Sequence, residues 1–108
     1  YSISFNKNYI TNIRRLIAYL KSLTGFSGCS IQPLSGAHSE LMALCMIKKY
    51  FKLHNQEKRK YIFIPESAHG TNPCSASIAG FEVISLKQTQ SGYLDYDYFH
   101  NTYRYNLL

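Results

Sequence analysis

Two short stretches of this chain carry residue types that can hold a ligand. The first runs Pro33, Leu34, Ser35, Gly36, Ala37, His38. A Ser-Gly-Ala tip that opens a helix leaves backbone N–H groups without intrahelical acceptors near the positive end of the helix dipole, and side chains this small let a phosphate come close. The same residues also suit a plain N-cap, the commoner use of Ser and Gly at a helix start. The second stretch is Glu66, Ser67, Ala68, His69, Gly70, Thr71, Asn72, Pro73. It offers a flat imidazole, a glycine that permits close backbone approach, and two polar side chains in one turn. A turn whose histidine faces solvent explains the same letters, because one loop without a nucleophile, an acid or a metal partner is not a mechanism.

Nothing else in the chain competes with these two loops. Asp95 and Asp97 sit where a helix begins and read as a cap and a dipole partner, not an acid/base pair. Glu40, one turn into a helix, reads as a surface or capping residue, and His54 and His100 are isolated. The tyrosine-rich tail around Tyr93, Tyr96, Tyr98, Phe99, Tyr103 and Tyr105 could stack on bases, but suits core packing or a subunit contact better. Cys29, Cys45 and Cys74 form neither an even disulfide set nor a Cys-x-x-Cys pair, which points to a reducing compartment.

The elements that must position these loops are legible in the hydrophobic pattern. Ile10, Ile13, Leu16, Ile17, Leu20 and Leu23 recur at helical spacing from Tyr9 to Leu23, and Gly25 is a natural left-handed stop. Cys29 to Gln32, between Gly28 and Pro33, reads as a brief buried strand. Ser35 and Gly36 open a second helix that runs to about His54. Tyr61 to Ile64 is an apolar run closed by Pro65, hence a strand; Asn72 and Pro73 then read as N-cap and first helical residue of a short helix ending at Gly80. Phe81 to Leu86 is another strand, Gln88 to Gly92 a turn, and Asp95 caps a last helix through Tyr103. This alternation predicts an α/β protein with a mostly parallel sheet and helices on both faces. Both loops follow predicted strands, where ligand sites of open α/β sheets collect.

A chain of 108 residues admits one domain at most. Hydrophobic residues at 45%, dispersed along the chain, argue against disorder. The net charge of +6 invites a nucleic-acid partner, but the densest run, Lys48 to Lys60, is broken by Tyr50, Phe51, Leu53 and Glu57, and no recognition motif accompanies it. No apolar run approaches the roughly 20 residues of a membrane span, and no charged leader precedes an apolar stretch. Neither a nucleic acid nor a membrane is therefore expected as a partner. The chain opens on Tyr1 and stops at Leu108 as an apolar stretch begins, so both ends read as cut.

Taken together, the runs Leu23 to Phe26, Ile31 to Ala37 and Ile64 to Pro73 resemble the glycine dehydrogenase P-protein family of the glycine cleavage system, in its C-terminal half or second subunit. The similarity continues through Ala79, Gly80 and Phe81 to Asp95. The resemblance implies a fold-type I pyridoxal-phosphate transferase domain, of which residues 1–108 would be a part truncated at both ends. It implies an oxidoreductase of glycine catabolism that decarboxylates glycine and passes the aminomethyl group to the lipoyl arm of the H-protein. The family pattern places Ser35, Gly36 and Ala37 at the cofactor phosphate and stacks His69 on the pyridine ring; His38 and Thr71 join them as expected cofactor contacts. Where the family usually reads Ser-Gly-Ala-Gln-Gly-Glu, this chain has His38 and Ser39, and Cys74 replaces a common alanine. Imidazole can donate a hydrogen bond to phosphate but cannot copy an amide's paired donor and acceptor.

The family's Schiff-base lysine and the aspartate partner of the pyridine nitrogen are expected beyond Leu108, so no catalytic residue is assigned within the chain and the piece alone is expected to be inactive. Its implied partners are the H-protein and the remainder of the P-protein or its other subunit. The implied compartment is the cytoplasm of a bacterium or, in a eukaryote, the mitochondrial matrix. The alternative is a non-catalytic binding module derived from that enzyme.

Overall fold

The computed structural model describes residues 3–107, which divide into two compact units between Leu34 and Ser35. In the first unit a single helix, α1 (Ile3–Thr24), begins earlier than the apolar spacing predicts. It stops where expected: Gly25 takes φ +73° and its N–H bonds the Lys21 carbonyl at 2.9 Å. Ile13, Ile17 and Leu20 are half-buried, while Leu16 and Leu23 stay exposed. Residues 25–34 follow without regular structure, and Cys29, Ile31 and Leu34 share one cleft with Tyr9, Ile13 and Ile17.

The predicted strand at Cys29 to Gln32 does not form. A strand is a paired state, and among the described residues no ladder reaches this segment. It makes a local bond instead: the Gln32 N–H donates to the Ser30 hydroxyl at 3.3 Å. Such local side-chain bonds compete with sheet pairing wherever no neighbouring strand is supplied.

The second unit holds α2 (Gly36–Leu53), β1 (Tyr61–Pro65), α3 (Thr71–Ile78), β2 (Glu82–Leu86) and α4 (Tyr96–Leu107). β1 and β2 pair in parallel, with Tyr61 opposite Glu82 and Pro65 opposite Leu86, and α3 is the crossover between them. Strand alternation then sorts the side chains. Ile62, Ile64 and Val83 join Leu44 and Phe51 of α2 and Ala76 and Ala79 of α3 or its end, around buried Phe81. Phe63 lies on the other face, edge-on to Phe99 of α4 at 5.4 Å. The expected α/β architecture with helices on both faces of a parallel sheet is thus present, as two strands where the sequence pattern predicts three.

Two of the element boundaries rest on glycine or asparagine conformations. Asn55 takes φ +55° just past the α2 C-cap, and Gly80 takes φ +84° between α3 and β2. A small antiparallel bridge, Gln88 to Leu94, closes the predicted turn after β2, and Asp95 then accepts the Tyr98 N–H at 2.9 Å as the expected cap of α4.

Candidate functional site

β1 and β2 run in parallel, so their carboxyl ends share one edge of the sheet, and both following loops are tied together there. The Glu66 N–H continues the ladder to the Leu86 carbonyl at 3.0 Å, and Ala68 N–H turns back to the Pro65 carbonyl at 2.9 Å. The Gln88 amide then donates to the Ser67 hydroxyl at 2.7 Å. Nothing in the amino-acid sequence marks this last bond, because its partners are 21 residues apart.

The loop ends on His69, Gly70 and Thr71, and here the predicted cap is corrected. Gly70, not Asn72, is the N-cap of α3, and it contributes no side-chain bond. His69 supplies the missing acceptors. Its Nδ1 receives the Thr71 backbone N–H at 3.2 Å and lies 2.9 Å from the Thr71 hydroxyl, and its carbonyl receives the Asn72 N–H at 2.9 Å. Pro73 therefore falls at the third helical position, still inside the first turn, where a missing N–H leaves no intrahelical acceptor unpaired. Imidazole is rarely a capping group, so the residue pattern points to Asn72 instead.

At the start of α2, Ser35 is the predicted N-cap: its hydroxyl oxygen accepts the His38 N–H at 3.1 Å, and its carbonyl accepts the Ser39 N–H at 3.0 Å. The N–H groups of Gly36 and Ala37 fall at the first two helical positions, where no intrahelical acceptor exists. A Cβ built on Gly36 meets nothing within 4 Å, so the tip is open to an approaching group. From there α2 runs into a shallow cleft of about 310 Å³ in which Glu40 and Leu44 face Ala68, Asn72 and Ala76 across Ile64. Glu40 is half-buried in that cleft, a position its sequence context alone does not disclose. The α2 start has the donors for an anionic group and the exposed imidazole of His69 has a flat face, but neither Ser35 to His38 nor His69 and Thr71 line the cleft itself.

A larger cleft, about 550 Å³, is lined by Lys48, Lys52, Arg59 and Phe51 with Ile78 and Ala79. It lies by the amino ends of the strands, away from both loops. His54 is committed elsewhere, donating from Nδ1 to the Tyr50 carbonyl at 2.9 Å and stacking on the Tyr50 ring at 4.0 Å. Lys87 alone among the lysines follows a strand's carboxyl end, and its ammonium sits 5.1 Å from the centre of the Tyr98 ring. Among the described residues no three of the His, Cys, Asp and Glu side chains gather as a metal-ligand set, and no helix is long and apolar enough to cross a membrane.

By architecture, the second unit is an α/β unit with one candidate ligand loop, Glu66 to Pro73, at the carboxyl edge of a parallel sheet; the Ser35-Gly36-Ala37 tip, expected after a strand, follows none among the described residues. No protein-family model matches the chain. Curated relatives do. A probable glycine dehydrogenase (decarboxylating) subunit 2 of Kosmotoga olearia is 43% identical over 83 residues, 77% of this chain and 17% of that protein. The protein of the same name from Caldanaerobacter subterraneus is 49% identical over 76 residues, 70% of this chain and 16% of its own length. A glycine dehydrogenase (decarboxylating) of Flavobacterium johnsoniae is 43% identical over 89 residues, 82% of this chain and 9% of its length. Over these stretches the chain is a sequence relative of glycine dehydrogenase (decarboxylating), matching a part of it that spans less than a fifth of the relatives named here.

Proposed function

We propose that this chain is a portion of a glycine dehydrogenase (decarboxylating), and that it contributes part of the pyridoxal phosphate cradle of a fold-type I transferase domain. What supports this reading is the open, Ser35-capped start of α2 together with an exposed His69 in the loop after β1, whose neighbours Ala68 and Asn72 share a cleft with Glu40 and Leu44 of α2. When bound, the cofactor supplies the electron sink that stabilises the charge left as carbon dioxide departs from glycine.

The residues of this chain would hold and orient that group. Ser35 donates its hydroxyl hydrogen to the phosphate, Gly36 and Ala37 donate their N–H groups, and the α2 dipole favours the negative charge. His38, in the place of the family's glutamine, adds an imidazole donor on the same turn. His69 lays a flat ring against the pyridine and limits its tilt. Thr71 and its N–H hold that histidine. The covalent lysine and the acidic partner of the ring nitrogen would come from the rest of the protein, and the aminomethyl group would pass to the lipoyl arm of an H-protein. Relatives named as subunit 2 imply another subunit, which would supply the remainder.

The test is release of labelled carbon dioxide from carboxyl-labelled glycine by the complete protein. Release that requires both pyridoxal phosphate and a lipoylated H-protein is expected; a complete protein that binds no pyridoxal phosphate would overturn the reading.

A further inference from the structure

We infer that Thr71 is a positioning residue for His69, holding its ring in one orientation and in the tautomer that carries its proton on Nε2. Two donors from one residue converge on a single ring nitrogen. The Thr71 backbone N–H points at His69 Nδ1 at 3.2 Å, and a hydrogen on Nδ1 would meet it head-on. Nδ1 is therefore the acceptor, and the Thr71 hydroxyl, 2.9 Å away, must be a donor as well. In the neutral ring the proton is left on Nε2.

His69 is exposed, and an exposed histidine on a glycine-flanked loop ordinarily samples several rotamers. Here both ring torsions are restrained, because any rotation that moves Nδ1 away from Thr71 breaks two bonds and uncaps α3. The bonds fix which face of the imidazole is presented and leave Nε2–H as the ring's N–H donor. Thr71 thereby acts through His69, its hydroxyl hydrogen being directed at Nδ1. His54 shows the opposite arrangement, since its Nδ1 must donate to the Tyr50 carbonyl oxygen. The two histidines carry their protons on different nitrogens. The consequence for cofactor binding rests on the functional reading above; the tautomer does not.

Histidine-selective 15N labelling of the complete protein reads the tautomer directly, with His69→Gln and His54→Gln assigning the two signals. The expected result is an unprotonated Nδ1 with a protonated Nε2 at His69, and the reverse at His54. Thr71→Val keeps the shape and the backbone N–H but removes the hydroxyl; His69 Nδ1 should stay unprotonated with its 15N signal shifted by the loss of one of its two donors, and pyridoxal phosphate binding should weaken about threefold to tenfold, the loss of about one hydrogen bond. Thr71→Ser should restore both. A protonated Nδ1 at His69 in the unsubstituted protein, or a Thr71→Val protein unchanged in both the Nδ1 signal and the affinity, would overturn the inference. Should Thr71→Val fail to fold, the unsubstituted protein and Thr71→Ser still decide it, through a protonated or unprotonated Nδ1 at His69. A shifted Nδ1 signal in Thr71→Val, with affinity unaltered there and in His69→Ala, would uphold the positioning role and remove His69 from the cofactor site.

Discussion

At the residue scale, the two central histidines differ in what their rings are committed to. His54 is held by its own helix, stacked on Tyr50 and bonded to the Tyr50 carbonyl, whereas His69 is exposed, next in the chain to Ala68 of the cleft. Ring stacking contributes about 0.5 to 1.5 kcal/mol beyond buried area. His69→Ala in the complete protein should therefore weaken pyridoxal phosphate binding by about threefold to tenfold, with turnover falling further if the ring is misaligned. His54→Ala should leave affinity nearly unchanged. Equal losses in a spectral titration of the two variants would count against the role given to His69.

A second residue-scale prediction concerns Lys60, whose ammonium lies 2.7 Å from the Glu82 carboxylate across the paired starts of β1 and β2. That bond, helped by Tyr61, raises the Lys60 pKa above its ordinary 10.5. A raised lysine value means that the pair's stabilisation is fully present below pH 10.5 and fades as pH climbs through the raised folded value. Both side chains are about half exposed, so the contribution is small and screened by salt. Thermal melts of the unsubstituted protein and Glu82→Gln should differ slightly at neutral pH and converge at strongly alkaline pH or in molar salt. A difference that grows with pH would contradict this sign.

At the scale of elements, the β1-α3-β2 crossover is short, and Gly80 makes it possible. The Gly80 N–H bonds the Ser77 carbonyl, the Phe81 N–H bonds the Ala76 carbonyl, and the chain turns through φ +84° directly into β2. A side chain there would meet only Lys48 Cε at 3.9 Å, so crowding is not the obstacle. The backbone conformation is, at about 1–2 kcal/mol for a residue with a Cβ. Gly80→Ala should lower stability by about that much, and Gly80→Asn by less, since asparagine tolerates the left-handed region better. Denaturant melts showing Gly80→Ala as stable as the unsubstituted protein would place the turn elsewhere.

At the scale of the whole molecule, the described residues have little buried apolar material. Ile64, Ala76, Phe81 and Leu86 are the buried hydrophobics, while Leu16, Leu23, Phe26, Leu34, Ile47 and Leu53 are among many left exposed. β1 and β2 each pair on one side, leaving a row of backbone donors and acceptors on the other. Even a well-formed small domain has only about 5 kcal/mol in reserve. Produced alone, residues 1–108 should associate or populate a loosely packed state, because apolar surface and strand edges on this scale recruit other chains. Size-exclusion chromatography giving a compact monomer with one sharp thermal transition would instead favour a self-standing binding module.

What the amino-acid sequence determined by itself were the features encoded in neighbouring residues. Gly25 stops α1, Ser35 caps α2, Asp95 caps α4, and the apolar runs before Pro65 and Lys87 become strands, each through bonds or torsions spanning a few residues. The two loops with ligand-binding residue types were legible for the same reason. Tertiary structure decided what depends on a distant partner. Cys29 to Gln32 has strand-like residues but no neighbour to pair with among the described residues. Gln88 reaches Ser67 only once β1 and β2 lie side by side in parallel, and Glu40 shares a cleft with Ala68 and Asn72 only once α2 packs on α3. The start of α3 at Gly70 is not legible in the sequence although every group involved is local. A ring nitrogen can cap a helix only when the backbone has already turned the imidazole toward the first amide, and that turn is made by Pro65, Ala68 and the strand that precedes them.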